Sequence, residues 1–315
     1  MSPLSFAYEA KAELCREKTE NKAAATAECY GICLFCHTFS AEKIKITTAN
    51  REFAARIPRL FKKAFGIAFD VFPEASGEGS TRSVFEIRDP QKLKCILEEY
   101  GQSPDLLLAH HVNFGVLEGE RFAADFIRGA FLAGGTVTDP SKRYHLEFAT
   151  SHRSVARETV SILQEMGFRP GLSNRGADAL IYFKQADMIA DLLTALGAST
   201  AGMNVITAKV DKEMKNTITR QINCDSANAD KTVTAAQKQL AAIRKFAAVY
   251  GLDGLPEPLR DAALLRITNP ETSLSDLSKL SFPPVSKSCL SHRLKRIEEM
   301  AEKAERTNQT EDSKP

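Results

Sequence analysis

The chain has no apolar run approaching the roughly 20 residues that a membrane-spanning helix requires, so no membrane partner is predicted. The stretch Met1–Ser5 has no basic segment leading into an apolar core, and we therefore expect no secretory signal. Tryptophan is also absent, and its absence excludes no class of protein. The seven cysteines, an odd number scattered over 315 residues, favour reduced thiols and a cytoplasmic location.

A strong excess of either charge is also missing, since the formal net charge is only +2. Residues 1–204 carry about 24 basic and 25 acidic side chains, whereas Val205–Arg306 carries about 17 basic and 13 acidic ones. The mild basic excess is concentrated in one short stripe: Lys287, His292, Arg293, Lys295 and Arg296. Such a stripe is typical of phosphate contact, although by itself it fits a solvated helix face equally well.

An apolar stretch centred on a glycine occurs twice, at Ala27–Thr38 around Gly31 and at Asp125–Thr136 around Gly129. The same series of predicted elements follows each copy: a strand, a helix, two strands and a closing helix. A repeat of about a hundred residues indicates two similar half-domains packed together. Because facing glycines let two backbones approach closely, we predict that the two glycine helices pair along a pseudo-twofold axis.

This pattern resembles the LAGLIDADG homing endonucleases, in which each glycine helix ends in a metal-binding aspartate. Alignment on Gly31 and Gly129 places the two acid positions at Cys36 and Gly134. Neither residue offers the hard oxygen ligands that magnesium requires. The resemblance therefore implies an α+β scaffold of saddle-shaped antiparallel sheets and paired helices, and it argues against a catalytic or metal site.

The remaining sequence predicts a helical C-terminal part. Leu259–Ile267 favours a helix that stops before a proline, and Ser273 followed by Asp276 is a helix-start box. Pro283 forbids continuation of that second helix, and a third is predicted from Lys287 to about Lys303. A helix, a short turn and a second helix form the layout of a helix-turn-helix.

The last predicted helix separates into two faces, with Leu290, Leu294, Ile297 and Ala301 on the apolar one. In a helix-turn-helix, the first residues of the recognition helix reach base edges in the major groove. The candidates for base contact are Lys287, Ser288, Ser291 and His292. The candidates for phosphate contact, farther along the helix, are Arg293, Lys295 and Arg296. A helical hairpin that binds protein is the alternative.

Together, the segments predict five parts. These are 1–101 and 102–204 as the two half-domains, 205–252 as a helical linker interrupted near Asn223–Asn228, 253–304 as the helix-turn-helix, and 305–315 as a disordered polar tail. Two adjacent histidines, His110 and His111, lie between the half-domains and are predicted to be loop or packing residues.

Both ends together resemble the WhiA family of bacterial sporulation and cell-division regulators over nearly the whole chain. The most specific pieces are Phe126–Gly135, Tyr144–Phe148, Asn223–Val233, Pro284–Ser288 and His292–Leu294. The resemblance implies a degenerate homing-endonuclease domain joined to a helix-turn-helix akin to the promoter-reading part of sigma factors. It also implies a role in transcription, cell division, chromosome segregation or sporulation, with double-stranded DNA as the partner and a place at the nucleoid.

The resemblance carries further expectations for individual residues. Arg220 and Lys231 lie within the family pattern and are predicted to contact DNA. The chain departs from the pattern at Cys36 and His37, where the family usually has small residues, and this is expected to loosen the helix contact in the first half. A monomer is expected, and a second partner, either a protein co-regulator or RNA polymerase, is left open.

Cys29, Cys33 and Cys36 form the main rival site, because their spacing is that of a radical-SAM iron–sulfur motif. They lie, however, within an apolar stretch of helical spacing, where free cysteines pack as small hydrophobes. We therefore predict neither an iron–sulfur cluster nor zinc, and no cofactor.

Nuclease activity with relocated acids is the second rival. Metal-assisted cleavage needs carboxylates around divalent ions, and the nearest acids are Glu28 and Asp125. Both lie at the opposite end of the glycine helices from the acid positions and are predicted to form surface ion pairs. A non-enzymatic protein is predicted. The near-neutral N-terminal half-domains favour a weak DNA role or a protein contact there.

Overall fold

A computed structural model describes residues 4–73, 82–103, 109–119 and 121–311, with side chains described up to Lys303. The chain divides into two compact units, Met1–Glu213 and Met214–Pro315. The division falls inside the long helix α8 (Ser199–Tyr250) rather than at the predicted position 204. In the described part of the chain, no helix is both long and apolar enough to cross a membrane.

Among its described residues, the first half-domain contains four helices and a three-stranded antiparallel sheet of order β1-β2-β3. Its elements are α1 (Phe6–Leu14), α2 (Lys22–Phe35), β1 (Thr38–Phe39), β2 (Ile44–Thr48), α3 (Arg51–Phe65), β3 (Ser83–Ile87) and α4 (Pro90–Glu99). Side-chain oxygens begin several of these helices: Asn21 accepts from the Ala24 amide and Asn50 from the Phe53 amide.

The second half-domain repeats this order. Its elements are a short 3-10 helix (Phe114–Leu117), α5 (Phe122–Gly134), β4 (Gly135–Val137), β5 (Leu146–Thr150), α6 (Arg153–Glu165), β6 (Gly171–Arg175), β7 (Asp178–Phe183) and α7 (Ala186–Leu196). The four strands form an antiparallel sheet of order β4-β5-β7-β6. The predicted repeat is therefore confirmed. In the first half, β3 has no second hairpin strand among the described residues, only the bridge between Val71 and Glu86.

Helices α2 and α5 pair through their glycines. A Cβ atom on Gly31 would lie 2.0 Å from the Phe126 carbonyl oxygen, and one on Gly129 would lie 2.0 Å from the Glu28 carbonyl oxygen. The approach stays close at the carboxyl end, where a Cβ on Gly134 would lie 2.9 Å from the Phe35 oxygen. The predicted loosening near Cys36 is wrong, since the thiol sits beyond the end of α2 and does not separate the backbones.

The C-terminal unit is helical. After α8 come a 3-10 turn (Leu252–Gly254), α9 (Glu257–Thr268), α10 (Leu274–Leu280) and α11 (Lys287–Glu311). Its apolar core is formed by Ile243, Phe246, Leu259, Leu277, Leu290, Leu294 and Ile297. The last turns of the predicted linker are therefore part of this core and do not merely connect two domains.

Two predictions of irregular structure are wrong. Helix α8 continues through Asn223–Asn228, because no proline or glycine interrupts 203–250 and each weak helix former costs only a fraction of a kcal/mol. Helix α11 continues to Glu311, within the predicted disordered tail, because Glu, Gln and Arg are good helix formers. Residues 312–315 of that tail lie outside the described residues.

Candidate nucleic-acid interface

The helix-turn-helix is set by two serine caps. Ser273 Oγ accepts a hydrogen bond from the Asp276 amide at 3.2 Å and donates to the Asp276 carboxylate at 2.8 Å, which begins α10. Ser286 Oγ accepts from the Cys289 amide at 3.2 Å at the start of α11. Both starts lie where the sequence predicted them.

Helix α11 presents one buried and one exposed face. Leu290, Leu294 and Ile297 are each 1% exposed and hold the helix in the core. At 100° per residue, the exposed side chains that share the opposite arc are Ser288, Ser291, His292, Lys295 and Arg296. The exposed Lys287 and the half-buried Arg293 lie on the two flanks of this arc. The structure thus brings five of the seven predicted α11 residues together on one arc and places Lys287 and Arg293 beside it.

The basic residues in the first half of α11 have no acidic partner among the described side chains. Lys287, Arg293, Lys295 and Arg296 form no salt bridge with any side chain that the structure describes. Two other lysines of this unit are paired, with Lys238 Nζ 2.9 Å from Glu298 and Lys279 Nζ 2.8 Å from Asp276. Cations at the exposed start of a helix, where the backbone amides also point outward, form a surface suited to anionic phosphates.

Arg220 and Lys231 lie on helix α8. They are exposed and eleven residues apart, so about three helical turns separate them and they share one face. Every residue from 213 to 231 is exposed, and the opposite face carries the apolar side chains of Met214, Ile218 and Ile222. These two predicted residues therefore form a basic face of their own, on a different helix from the α11 cluster.

The degenerate acid positions lie where α2 and α5 end. Cys36 Sγ donates toward the carbonyls of Cys33 and Thr38, and burial raises the pKa of its thiol to about 12. Gly134 has no side chain. A cleft of about 650 Å³ opens here, and its lining includes His37, Lys45, Arg82, Thr150 and Asp178. A neutral thiol, a glycine and a single exposed aspartate do not fit the oxygen-ligand requirement of magnesium.

The two nearest acids, Glu28 and Asp125, are both paired with arginines. Glu28 is fully buried, not on the surface as predicted, and its carboxylate accepts from Arg56 Nε at 2.7 Å and from Arg128 Nη2 at 2.9 Å. Arg128 also contacts the buried Asp125. The prediction of surface ion pairs is wrong because these arginines converge beneath α2 from α3 and α5. Each acid faces an arginine, so neither is open to a metal ion.

The cysteine cluster lies in the core. Cys29 and Cys33 are completely buried within α2, and burial raises the pKa of both thiols well above the usual value. Metal ligation requires the thiolate, which burial disfavours. Among the described residues, no group of three or more histidine, cysteine, aspartate or glutamate side chains is placed to hold a metal ion.

The adjacent histidines have different local partners. His110 Nε2 lies 2.7 Å from the Phe39 carbonyl oxygen, and its buried ring stacks on Phe39. His111 is exposed, and its Nδ1 lies 2.7 Å from the Glu158 carboxylate. Both therefore pack against or pair with local partners.

The sheets carry acids that the sequence reasoning missed. Glu86 on β3 is buried among Lys43, Lys45 and Arg88, with its carboxylate 3.1 Å from Lys43 Nζ. Burial raises the pKa of Glu86, but hydrogen bonds from Lys43 and Arg88 outweigh it and hold the pKa below the usual value. The cross-strand pairing of Lys45 with Glu86 could have been found from strand alternation, had the register been known.

The second sheet has a similar arrangement. Glu147 on β5 lies 3.0 Å from His145 Nε2 and 3.2 Å from Arg175 Nη2. Its pKa is also lowered, because the contacts with His145 and Arg175 outweigh the effect of burial. In both sheets, basic side chains are thus paired with a carboxylate.

The comparisons with known proteins agree with this architecture. Two family models match: the WhiA LAGLIDADG-like domain over residues 123–215 and the WhiA C-terminal HTH domain over 218–301. Proteins named "Probable cell division protein WhiA" from Clostridium botulinum and Clostridium perfringens are each 33% identical over 309 residues, which cover 95% of this chain and 98% of the relative. The chain belongs to the WhiA family.

The fold is likewise that of the family. The crystal structure of full-length DUF199/WhiA from Thermatoga maritima matches with a TM-score of 0.56 and 22% identity, over 95% of this chain and 99% of that chain. The WhiA HTH model begins at residue 218, well inside α8. This start agrees with the core described above, in which Ile243 and Phe246 of α8 pack with the helix-turn-helix.

Proposed function

We propose that this chain is a sequence-specific DNA-binding transcriptional regulator that acts in cell division, chromosome segregation or sporulation. The observation that carries the proposal is the exposed surface of α11, where Lys287, Lys295 and Arg296 form no salt bridge with a described side chain. The names of the relatives support a cell-division role. Binding of this kind would place the protein at the nucleoid.

The residues of α11 divide by their position. Lys287, Ser288, Ser291 and His292 occupy the first turns, where a recognition helix meets base edges. Arg293, Lys295 and Arg296 follow and are suited to phosphates, which position the protein without specifying the sequence. Arg220 and Lys231 share one exposed face of α8 and would add two backbone contacts.

The N-terminal unit is proposed to be a catalytically inactive scaffold. Cys36 and Gly134 supply no carboxylate at the helix ends, and Glu28 and Asp125 are held by arginines. Two-metal phosphodiester cleavage lacks its ligands in this arrangement. Because the basic residues of both sheets are paired with acids, this unit is assigned a weak DNA role or contact with a protein, either a co-regulator or RNA polymerase.

A salt series tests the proposal. The full-length protein, expected to be a monomer, is titrated with promoter-length duplex DNA from low to high salt with magnesium present, and the DNA is then recovered. Binding that falls with salt, with intact DNA, is expected. Cleaved DNA would contradict the loss of catalysis, and absence of binding at low salt would contradict the DNA-binding role.

A further inference from the structure

An apolar groove opens on the helix-turn-helix, outside the base-facing arc of α11, and Arg293 is the one residue proposed to contact phosphate that also lines it. It lies between α9 and the turn that joins α10 to α11, with a volume of about 490 Å³. Three of its large apolar residues face solvent: Phe282 is 96% exposed, Leu280 57% and Leu264 46%. Burial of such side chains against a partner is favourable, because it removes apolar surface from water. The volume falls in the range of roughly 300–1,000 Å³ typical of binding pockets.

The groove is separate from the base-facing arc of α11. Of the described side chains of that helix, Leu290 and Arg293 line it. At 100° per residue, both lie about 100° or more around the helix from Ser288 and His292. If α11 enters the major groove as proposed above, a segment lying in this groove would leave the base-facing arc open.

One rim of the groove is acidic. Glu257 and Asp261 line it from α9, where their i, i+4 spacing places them on the same side. Both are exposed, and neither forms a salt bridge with a described side chain, whereas the nearby Asp253 lies 3.5 Å from Arg260. The apolar floor and the acidic rim are therefore complementary to a segment that carries both bulky apolar and basic side chains.

We propose that this groove docks an amphipathic helix of a protein partner. The partner's apolar side chains would bury Phe282, Leu280 and Leu264, and a lysine or arginine beside them would meet Glu257 and Asp261. Recognition of this kind uses apolar anchors at i, i+3 or i+4, and i+7. A helix with acidic side chains in place of the basic ones would be repelled by Glu257 and Asp261.

Designed peptides on the full-length protein test the inference. The probe is a labelled alanine-based helix with leucines at i, i+4 and i+7 and two flanking lysines; one control replaces the lysines with glutamates and another replaces the leucines with alanines. Fluorescence anisotropy should show the leucine–lysine peptide binding about tenfold more tightly than either control. Phe282→Ser should abolish the preference without a folding defect, since this ring is almost fully exposed. Asp261→Lys should reduce the difference in affinity between the peptide with lysines and the peptide with glutamates.

Equal binding of the three peptides, no binding of the leucine–lysine peptide at about 1 mM, or an unchanged preference in Phe282→Ser would overturn the inference. DNA binding is followed in parallel. The Phe282→Ser variant should bind DNA with the affinity of the wild type. A loss of DNA affinity in this variant would mean that the Phe282 ring contacts DNA instead. Selective peptide binding by a wild-type protein that does not bind DNA would support the groove while refuting the proposed function.

Discussion

The two units use basic side chains in opposite ways. In the N-terminal unit, Arg56 and Arg128 are buried against Glu28, and the basic residues of both sheets surround a glutamate. On α11 of the C-terminal unit, Lys295 and Arg296 are exposed and have no acidic partner among the described side chains. A net charge of +2 conceals this contrast. Paired cations hold the fold together, whereas unpaired cations are free to meet phosphates.

Removing the buried carboxylate should have the largest effect. Glu28→Ala leaves Arg56 and Arg128 buried without it, and we expect the N-terminal unit to lose about 3–5 kcal/mol of unfolding free energy. Urea unfolding followed by circular dichroism measures the loss. Glu98→Ala is the control, since its ion pair with Lys94 is exposed and should matter little. Equal midpoints for the two variants would show that the cluster is dispensable.

The contrast also explains which features could be predicted from the sequence. Glycine spacing and serine caps are local signals, and they located the paired helices and the helix-turn-helix. The Glu28 cluster depends on Arg56, 28 residues away, and on Arg128, 100 residues away, which no local pattern brings together. The pairing of Lys45 with Glu86 depends on the register of β2 and β3, which the sequence also does not predict.

Neutralising two unpaired cations should weaken DNA binding at all sequences. Lys295→Ala combined with Arg296→Ala removes two proposed phosphate contacts, and the slope of log K against log salt should fall by about two. Titrations over a salt series measure this slope. Lys279→Ala is the matched control, because this lysine is already paired with Asp276. An unchanged slope in the double variant would remove both residues from the interface.

The first turns of α11 should affect sequence preference instead. Ser288→Ala or His292→Ala is expected to lose about 1–3 kcal/mol on a preferred site and little on unrelated DNA. Selection of bound sequences from a random pool, followed by titration of a preferred and a scrambled duplex, measures the difference. A uniform loss on both duplexes would move these residues to the phosphate-contacting class.

Helix α8 carries a second set of cations that form no salt bridge with a described side chain. Arg220→Ala with Lys231→Ala should reduce affinity by about tenfold, because two backbone contacts are lost. The surrounding residues 213–231 are exposed and rich in weak helix formers, so their amides should exchange rapidly in the free protein. Hydrogen exchange should slow there when DNA is added to the wild type, and less so in the double variant. Unchanged exchange would place α8 away from the DNA.

Releasing paired cations should produce the smallest effect, and in the opposite direction. Glu86→Gln with Glu147→Gln frees Lys43, Lys45 and Arg175 from their carboxylates, so salt-sensitive binding to unrelated DNA should rise several-fold. Both glutamates have pKa values below the usual 4.5, so they are ionised at pH 7 and the pairing is lost only in more acidic solution. Equal binding at low salt by the variant and the wild type would mean that the sheets do not contact DNA even when their cations are unpaired. That result would favour a protein-contact role for the N-terminal unit.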